Sequence, residues 1–214
     1  MNDKSTEALM TDLVADLAPV KPLRIANGAF LALAGFGLSV ALVFALGYPR
    51  QDVLAGQPAE VFMLATGLFV FAGTACAAAA LLMASPRVGA ARNGWQWAVA
   101  MLGLLPVAAL LALFSPETNF AENEAGHGII CLTASLALGL ITGGLLTAWL
   151  RRGAPASPER TGWVVGLASG AAGIAAFSFS CPYDSVLHLG IWHFSAVALS
   201  GIIGRLAVPP IVRW

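Results

Sequence analysis

The chain has 214 residues, 58% of them hydrophobic and only 10% charged, with a mean hydropathy of +0.81. That is far from the balance of a soluble domain and reads as an integral membrane protein, with room for one helical bundle at about 20 apolar residues per spanning helix. Its 11 basic and 11 acidic residues cancel, so no basic excess is available to neutralise phosphates, and a direct nucleic-acid partner is excluded.

Residues 1–24 form the one sizeable polar stretch. They lack the basic start, apolar core and small-residue cleavage site of a secretory signal, so this segment is expected to be retained on the cytoplasmic side. Ser5 or Thr6 can cap a helix there, with Glu7 near its positive end. Leu9, Met10, Leu13, Val14 and Leu17 recur at helical spacing, opposite Thr11, Asp12 and Asp16. The pattern predicts a short amphipathic helix with an acidic outer face, stopped by Pro19 and Pro22.

Six apolar segments follow: Ile25 to Gly47, Val61 to Ala84, Gly94 to Phe114, Gly128 to Leu150, Gly162 to Phe179 and Leu187 to Val208. The expected fold is all-α, a polytopic six-helix transmembrane domain over residues 25–208 with a cytoplasmic tail at 209–214. Pro106 should kink the third helix, and Arg205 can snorkel from the sixth. Gly139-x-x-x-Gly143 and the run Gly162, Gly166, Gly170 offer faces for close helix approach. Cys76 falls among alanines, where a thiol acts as a small hydrophobe.

Loop charge sets the orientation. With the N-terminus inside, Lys4, Lys21, Arg24, Arg87, Arg92, Arg151, Arg152, Arg160, Arg205 and Arg213 are cytoplasmic, and only Arg50 lies outside. Both termini are thus expected in the cytoplasm, with Trp95, Trp97, Trp149 and Trp163 as interfacial anchors near the inner ends.

This topology gathers the reactive side chains on the outer surface. Cys131 starts the fourth helix, four residues after His127, and Cys181 lies in the loop before the sixth, which His188 opens. Three readings stand for the two cysteines: a structural disulfide, a metal site from His127, Cys131, Cys181 and His188, or a sensory thiol pair reactive toward oxidants and soft ions. His193 is either a helix-packing hydrogen bonder or a ligand, and Tyr183 and Asp184 either cap the turn or tune the nearby thiol.

The cytoplasmic head ending in Asp16-Leu17-Ala18-Pro19-Val20-Lys21-Pro22-Leu23-Arg24, Cys131, and the motif Cys181-Pro182-Tyr183-Asp184 through His188 and Trp192-His193 resemble the NrsF family over essentially the whole chain. The resemblance implies a bacterial inner-membrane anti-sigma factor, not an enzyme, that needs no cofactor and holds an extracytoplasmic-function sigma factor of the F type. It also implies that Cys131 and Cys181 sense heavy-metal or oxidative stress; the residues themselves add transient metal ligation or redox change at these thiols, with His127, Asp184, His188 and His193 as candidate auxiliary residues. The leader helix, through Leu9, Met10, Leu13, Val14 and Leu17, is the expected docking element, because an acidic helix suits a protein groove better than an anionic lipid surface. The rival classes are a membrane thiol oxidoreductase and a small transporter. The first is disfavoured by the lack of a Cys-x-x-Cys pair, the second by the scarcity of charge within the spans and of any inverted repeat.

Overall fold

A computed structural model describes residues 3–15, 23–47, 49–85, 94–114 and 124–213, and among these every regular element is helical. In chain order they are α1 (Asp3–Ala15), α2 (Ile25–Leu46), α3 (Gln51–Leu54), α4 (Glu60–Met83), α5 (Gly94–Leu102), α6 (Leu104–Ala112), α7 (Glu124–Leu150), α8 (Pro158–Phe177) and α9 (Val186–His188). A π turn, Leu189–His193, leads into α10 (Phe194–Ala207), and α11 (Pro209–Val212) ends the chain. Residues 6–15 of α1 are exposed throughout, with Leu9, Met10, Leu13 and Val14 each 57–65% accessible. Leu17, Pro19 and Pro22 lie outside the described residues.

Five stretches are long and apolar enough to cross a membrane: Ile25–Leu46, Glu60–Met83, Gly94–Ala112, Gly126–Leu150 and Val186–Ala207. The third is divided at Gly103, one turn ahead of Pro106. The proline ring displaces the carbonyl of Leu102 and offers it no N–H, so the expected kink becomes a break between α5 and α6.

The remaining expected span, α8, falls short on apolarity because any stretch of spanning length within it takes in Arg160 from its polar start, while the rest is rich in Gly, Ala and Ser. It is the most enclosed helix, buried almost continuously from Thr161 to Ala176 and packed by α10, α7, α4 and α2. A helix wrapped in protein has no need of a greasy surface; it needs a small one. Gly166 faces the carbonyl of Ser200, Gly173 the carbonyl of Ser135, and the backbones of Gly162 and Gly204 face each other. A Cβ on Gly170 would stand 2.8 Å from Cα of Val197. On the opposite side Ser169 Oγ donates to the Gly139 carbonyl at 2.7 Å, beside Gly143. Both glycine patterns read from the sequence are therefore helix contacts, one toward α10 and one between α7 and α8. Ser39 Oγ, 3.0 Å from the carbonyls of Gly35 and of Leu138, ties α2 to α7 in the same way.

The two ends of the bundle are closed by different loops. At one end the Arg50 N–H donates to the Phe179 carbonyl at 2.8 Å. At the other, the Ala154 N–H meets the Ala84 carbonyl at 2.9 Å, and Arg213 pairs with Glu159. Helix α2 enters from this second end, where Gly28 sits under the Trp149 ring. Trp149 and Trp95 are accordingly core residues and not interfacial anchors, whereas Trp97 is exposed. Cys76 is buried in the same core, as expected.

Gly166→Ala should destabilise the bundle by about 1–3 kcal/mol, the range for overpacking a filled contact. Gly144→Ala, whose Cβ meets nothing within 4 Å, should be neutral or better. Thermal unfolding of the detergent-extracted protein compares the two, and equal midpoints would contradict the contact described.

Candidate functional site

Four chemistry-bearing side chains converge at the end closed by Arg50. Cys131 lies two turns into α7, Cys181 in the loop after α8, His188 at the end of α9 and His193 at the end of the π turn. Each is only 1–3% exposed. The two sulfurs are free thiols 3.5 Å apart, and Cys181 Sγ is 3.4 Å from His188 Nε2. The ligand-type atoms of all four residues lie within 4.8 Å of one another.

Local sequence explains how the loop presents them. Pro182 bars the helical region to Cys181, so the chain leaves α8 extended there. Ser185 restarts it as an N-cap, its Oγ accepting the His188 N–H at 3.1 Å. The π turn then sets the register. In an α-helix residues five apart point about 140° away from each other, but an i→i+5 turn returns them to nearly one face. His188 and His193 thus stand edge to face with ring centroids 5.1 Å apart. The turn is held by tight neighbours: Gly190 lies against the Leu105 carbonyl and Ala109 of α6, and Trp192 covers Gly128 of α7.

Around this cluster runs a second layer. Tyr183 stacks on His188 at 5.1 Å, His127 meets the edge of Tyr183, and Phe69 flanks His193. Arg50, its side chain 8% exposed, forks both Asp52 and Asp184 with N···O distances of 2.7–3.0 Å and donates to the Cys181 carbonyl at 2.9 Å. Its guanidinium also sits over the Phe62 ring at 4.8 Å. Hydrogen bonds that Arg50 donates to Asp184 and then to Asp52 raise the Arg50 pKa further, and Arg50 in turn holds the Asp52 carboxyl well below the usual carboxylate range. Beside the cluster, the Cys131 thiol, and then the His188 and His193 rings, favour the Cys181 thiolate and pull its pKa down against the opposing effect of burial. Among the described residues, neither ring nitrogen of His193 nor Nδ1 of His188 makes a well-aligned hydrogen bond, although the His193 ring lies close enough to Cys181 to favour its thiolate.

The structure brings together Cys131, Cys181 and His188, as the sequence reading grouped them, but the fourth member is His193 and not His127. His127 shares the Cys131 face of α7, yet lies a full turn, about 6 Å, nearer the helix end, where it is exposed and 3.4 Å from the Tyr183 hydroxyl. Asp184 neither caps the turn nor touches a thiol; it belongs to the Arg50 fork. Leu9, Met10, Leu13 and Val14 have no part in the cluster. Arg50 was missed as a site residue, although one signal was present: it is the single basic residue assigned to the side that carries Asp184.

Arg50→Gln leaves two carboxylates facing each other over the Cys181 loop. The variant should melt several degrees lower and expose Cys181 to faster thiol alkylation, while Arg50→Lys should recover only part of the loss, since an ammonium cannot fork two carboxylates. Because the folded Asp52 pKa is depressed, its contribution is present above about pH 3.9 and fades as pH falls toward the folded value. Wild-type melting should therefore hold steady from neutral to about pH 5, and an earlier acid loss would contradict the pairing.

Comparison with known proteins gives a consistent result. The chain is 30% identical over 221 residues to the anti-sigma-F factor NrsF of Caulobacter vibrioides (strain NA1000 / CB15N), covering 99% of each chain. It is 26% identical over 218 residues to a probable anti-sigma-F factor NrsF of Azospira oryzae (strain ATCC BAA-33 / DSM 13638 / PS), covering 98% of this chain and 99% of that one. No solved structure matches it. The family model described as negative regulator of sigma F matches residues 13–214, and the chain with this thiol–imidazole cluster belongs to the NrsF family.

Proposed function

We propose that the chain is a membrane-bound anti-sigma factor that holds an F-type extracytoplasmic-function sigma factor at the cytoplasmic face of the bacterial inner membrane and releases it when Cys131 and Cys181 sense heavy-metal or oxidative stress outside. The observation that carries this reading is the end-to-end relationship to a protein named for opposing sigma F. A regulatory role, without catalysis, accords with that family.

The topology proposed is six crossings, counting α8, whose enclosure by other helices explains its modest apolarity. The end bearing Arg151, Arg152, Arg160 and Arg213 is assigned to the cytoplasm by the positive-inside rule. The thiol end, with Arg50, then faces the periplasm. Helix α1 precedes α2, which enters at the basic end, so its exposed leucines are offered on the cytoplasmic side. An acidic helix with four accessible apolar side chains suits a groove on a protein partner.

Sensing follows from proximity. Two thiols 3.5 Å apart can be joined by a two-electron oxidant or bridged by a thiophilic ion. Cys131 belongs to α7 and Cys181 to the exit of α8, so either event pulls on the interface that runs the length of the bundle. Driving a partner from mostly bound to mostly free takes about 5.5 kcal/mol of differential affinity, within reach of a covalent or thiolate–metal bond.

Two tests follow. Leu9→Asp combined with Leu13→Asp, or removal of residues 1–18, should lower sigma-factor recovery with the detergent-extracted protein at least tenfold; undiminished recovery would reject the docking helix. Cys131→Ser or Cys181→Ser should leave repression intact in a reporter strain yet blunt induction by cadmium or an oxidant, and full induction in both variants would reject thiol sensing.

A further inference from the structure

The sulfur and imidazole donors form more than a reactive pair. Cys131 and Cys181 supply two sulfurs 3.5 Å apart, His188 Nε2 lies 3.4 Å from one of them, and His193 completes a set within 4.8 Å. In a tetrahedral site with metal–sulfur bonds of 2.3 Å and metal–nitrogen bonds of 2.0–2.1 Å, the sulfur–sulfur edge is about 3.8 Å and the sulfur–nitrogen edge about 3.6 Å. Two edges of this cluster already fall within about 0.3 Å of those values.

His193 decides the matter. A thiol–imidazole hydrogen bond accounts for Cys181 and His188, but it leaves His193 fully buried with no well-aligned hydrogen bond to either ring nitrogen among the described residues. Buried polar atoms are normally satisfied. Thr66, Trp95, Ser135 and Thr142 also carry one unsatisfied atom each, but only His193 combines two unsatisfied ring nitrogens with two thiols and a second imidazole close by, the surroundings in which a bound ion is the fitting partner. The π turn, a feature that recurs at functional sites, is what aims His193 into the cluster. Arg50 and Ser185 add support from outside, one bonding the Cys181 carbonyl and the other the His188 N–H.

We propose that Cys131, Cys181, His188 and His193 are the four ligands of a tetrahedral site for a divalent cation of the zinc class, to which cadmium and cobalt also belong as probes. The inference deepens the sensing reading of these residues, but rests on geometry that requires no sigma factor. The bound ion ties α7, the loop after α8 and the segment leading into α10 into one unit, three of the elements that surround or extend the central helix. Metal occupancy is then the state the outer end reports.

The test uses the full chain in detergent, stripped with a chelator and titrated with cobalt(II). The expected result is one cobalt per chain, with the visible absorption of a tetrahedral thiolate complex, displaced by one equivalent of zinc. Cys131→Ser and Cys181→Ser should abolish that absorption. His188→Asn and His193→Asn should weaken binding at least tenfold, whereas His127→Asn should leave it unchanged. His193→Cys, which keeps a ligand, should retain stoichiometric binding and guards against mistaking a misfolded variant for a lost ligand. An octahedral or absent cobalt spectrum in the native chain, or an unaltered affinity and spectrum in His193→Asn, would overturn the proposal. Sigma-factor recovery from the chelator-stripped samples, before any cobalt is added, separates the two readings. Tetrahedral cobalt without sigma retention supports the site and sinks only the anti-sigma reading, while retention with no tetrahedral cobalt sinks only the site.

Discussion

The bundle depends on backbone meeting backbone along α8. Helices in hydrocarbon gain little hydrophobic free energy from touching, so they are held by dispersion and by hydrogen bonds that become available only at short range. Gly162, Gly166, Gly170 and Gly173 let α10 and α7 come that close, and Ser169 uses the approach to reach the Gly139 carbonyl. A helix so enclosed cannot shift alone. A displacement of α7 or α10 changes contacts along α8, so the packing of these helices is coupled.

The polar cluster sits where that central helix ends. Thiols, imidazoles and a guanidinium placed near the membrane are costly unless each is partnered. Most are: Arg50 holds two carboxylates and a carbonyl, and Tyr183 covers His188. His193 departs from the pattern, and it does so at the one non-α turn among the described helices, where local regularity gives way to placing a side chain.

Separation of the two ends gives the family assignment physical sense. The thiol end is closed by short, hydrogen-bonded loops, whereas the basic end carries the leader helix with its leucines uncovered. Two ends of opposite character, joined by one packed helix, suit a protein whose relatives are named for restraining a sigma factor.

Composition and periodicity alone determined the apolar helices of membrane-spanning length, the interruption near Pro106, the small-residue contact faces and the grouping of Cys131 with Cys181 at one end. Each follows from local rules: apolar run length, helical spacing and the alternation of sides that successive spans impose. Tertiary structure decided the rest. Trp149 turns inward where Gly28 leaves room for its ring, and Trp95 is likewise buried in the core. Arg50 becomes the clasp of the Cys181 loop through contacts to residues more than 130 positions away. His193 replaces His127 because a widened turn, itself set by Gly190 against α6, rotates the ring into the cluster. No local pattern encodes these choices, since each depends on which surface of another helix happens to lie opposite.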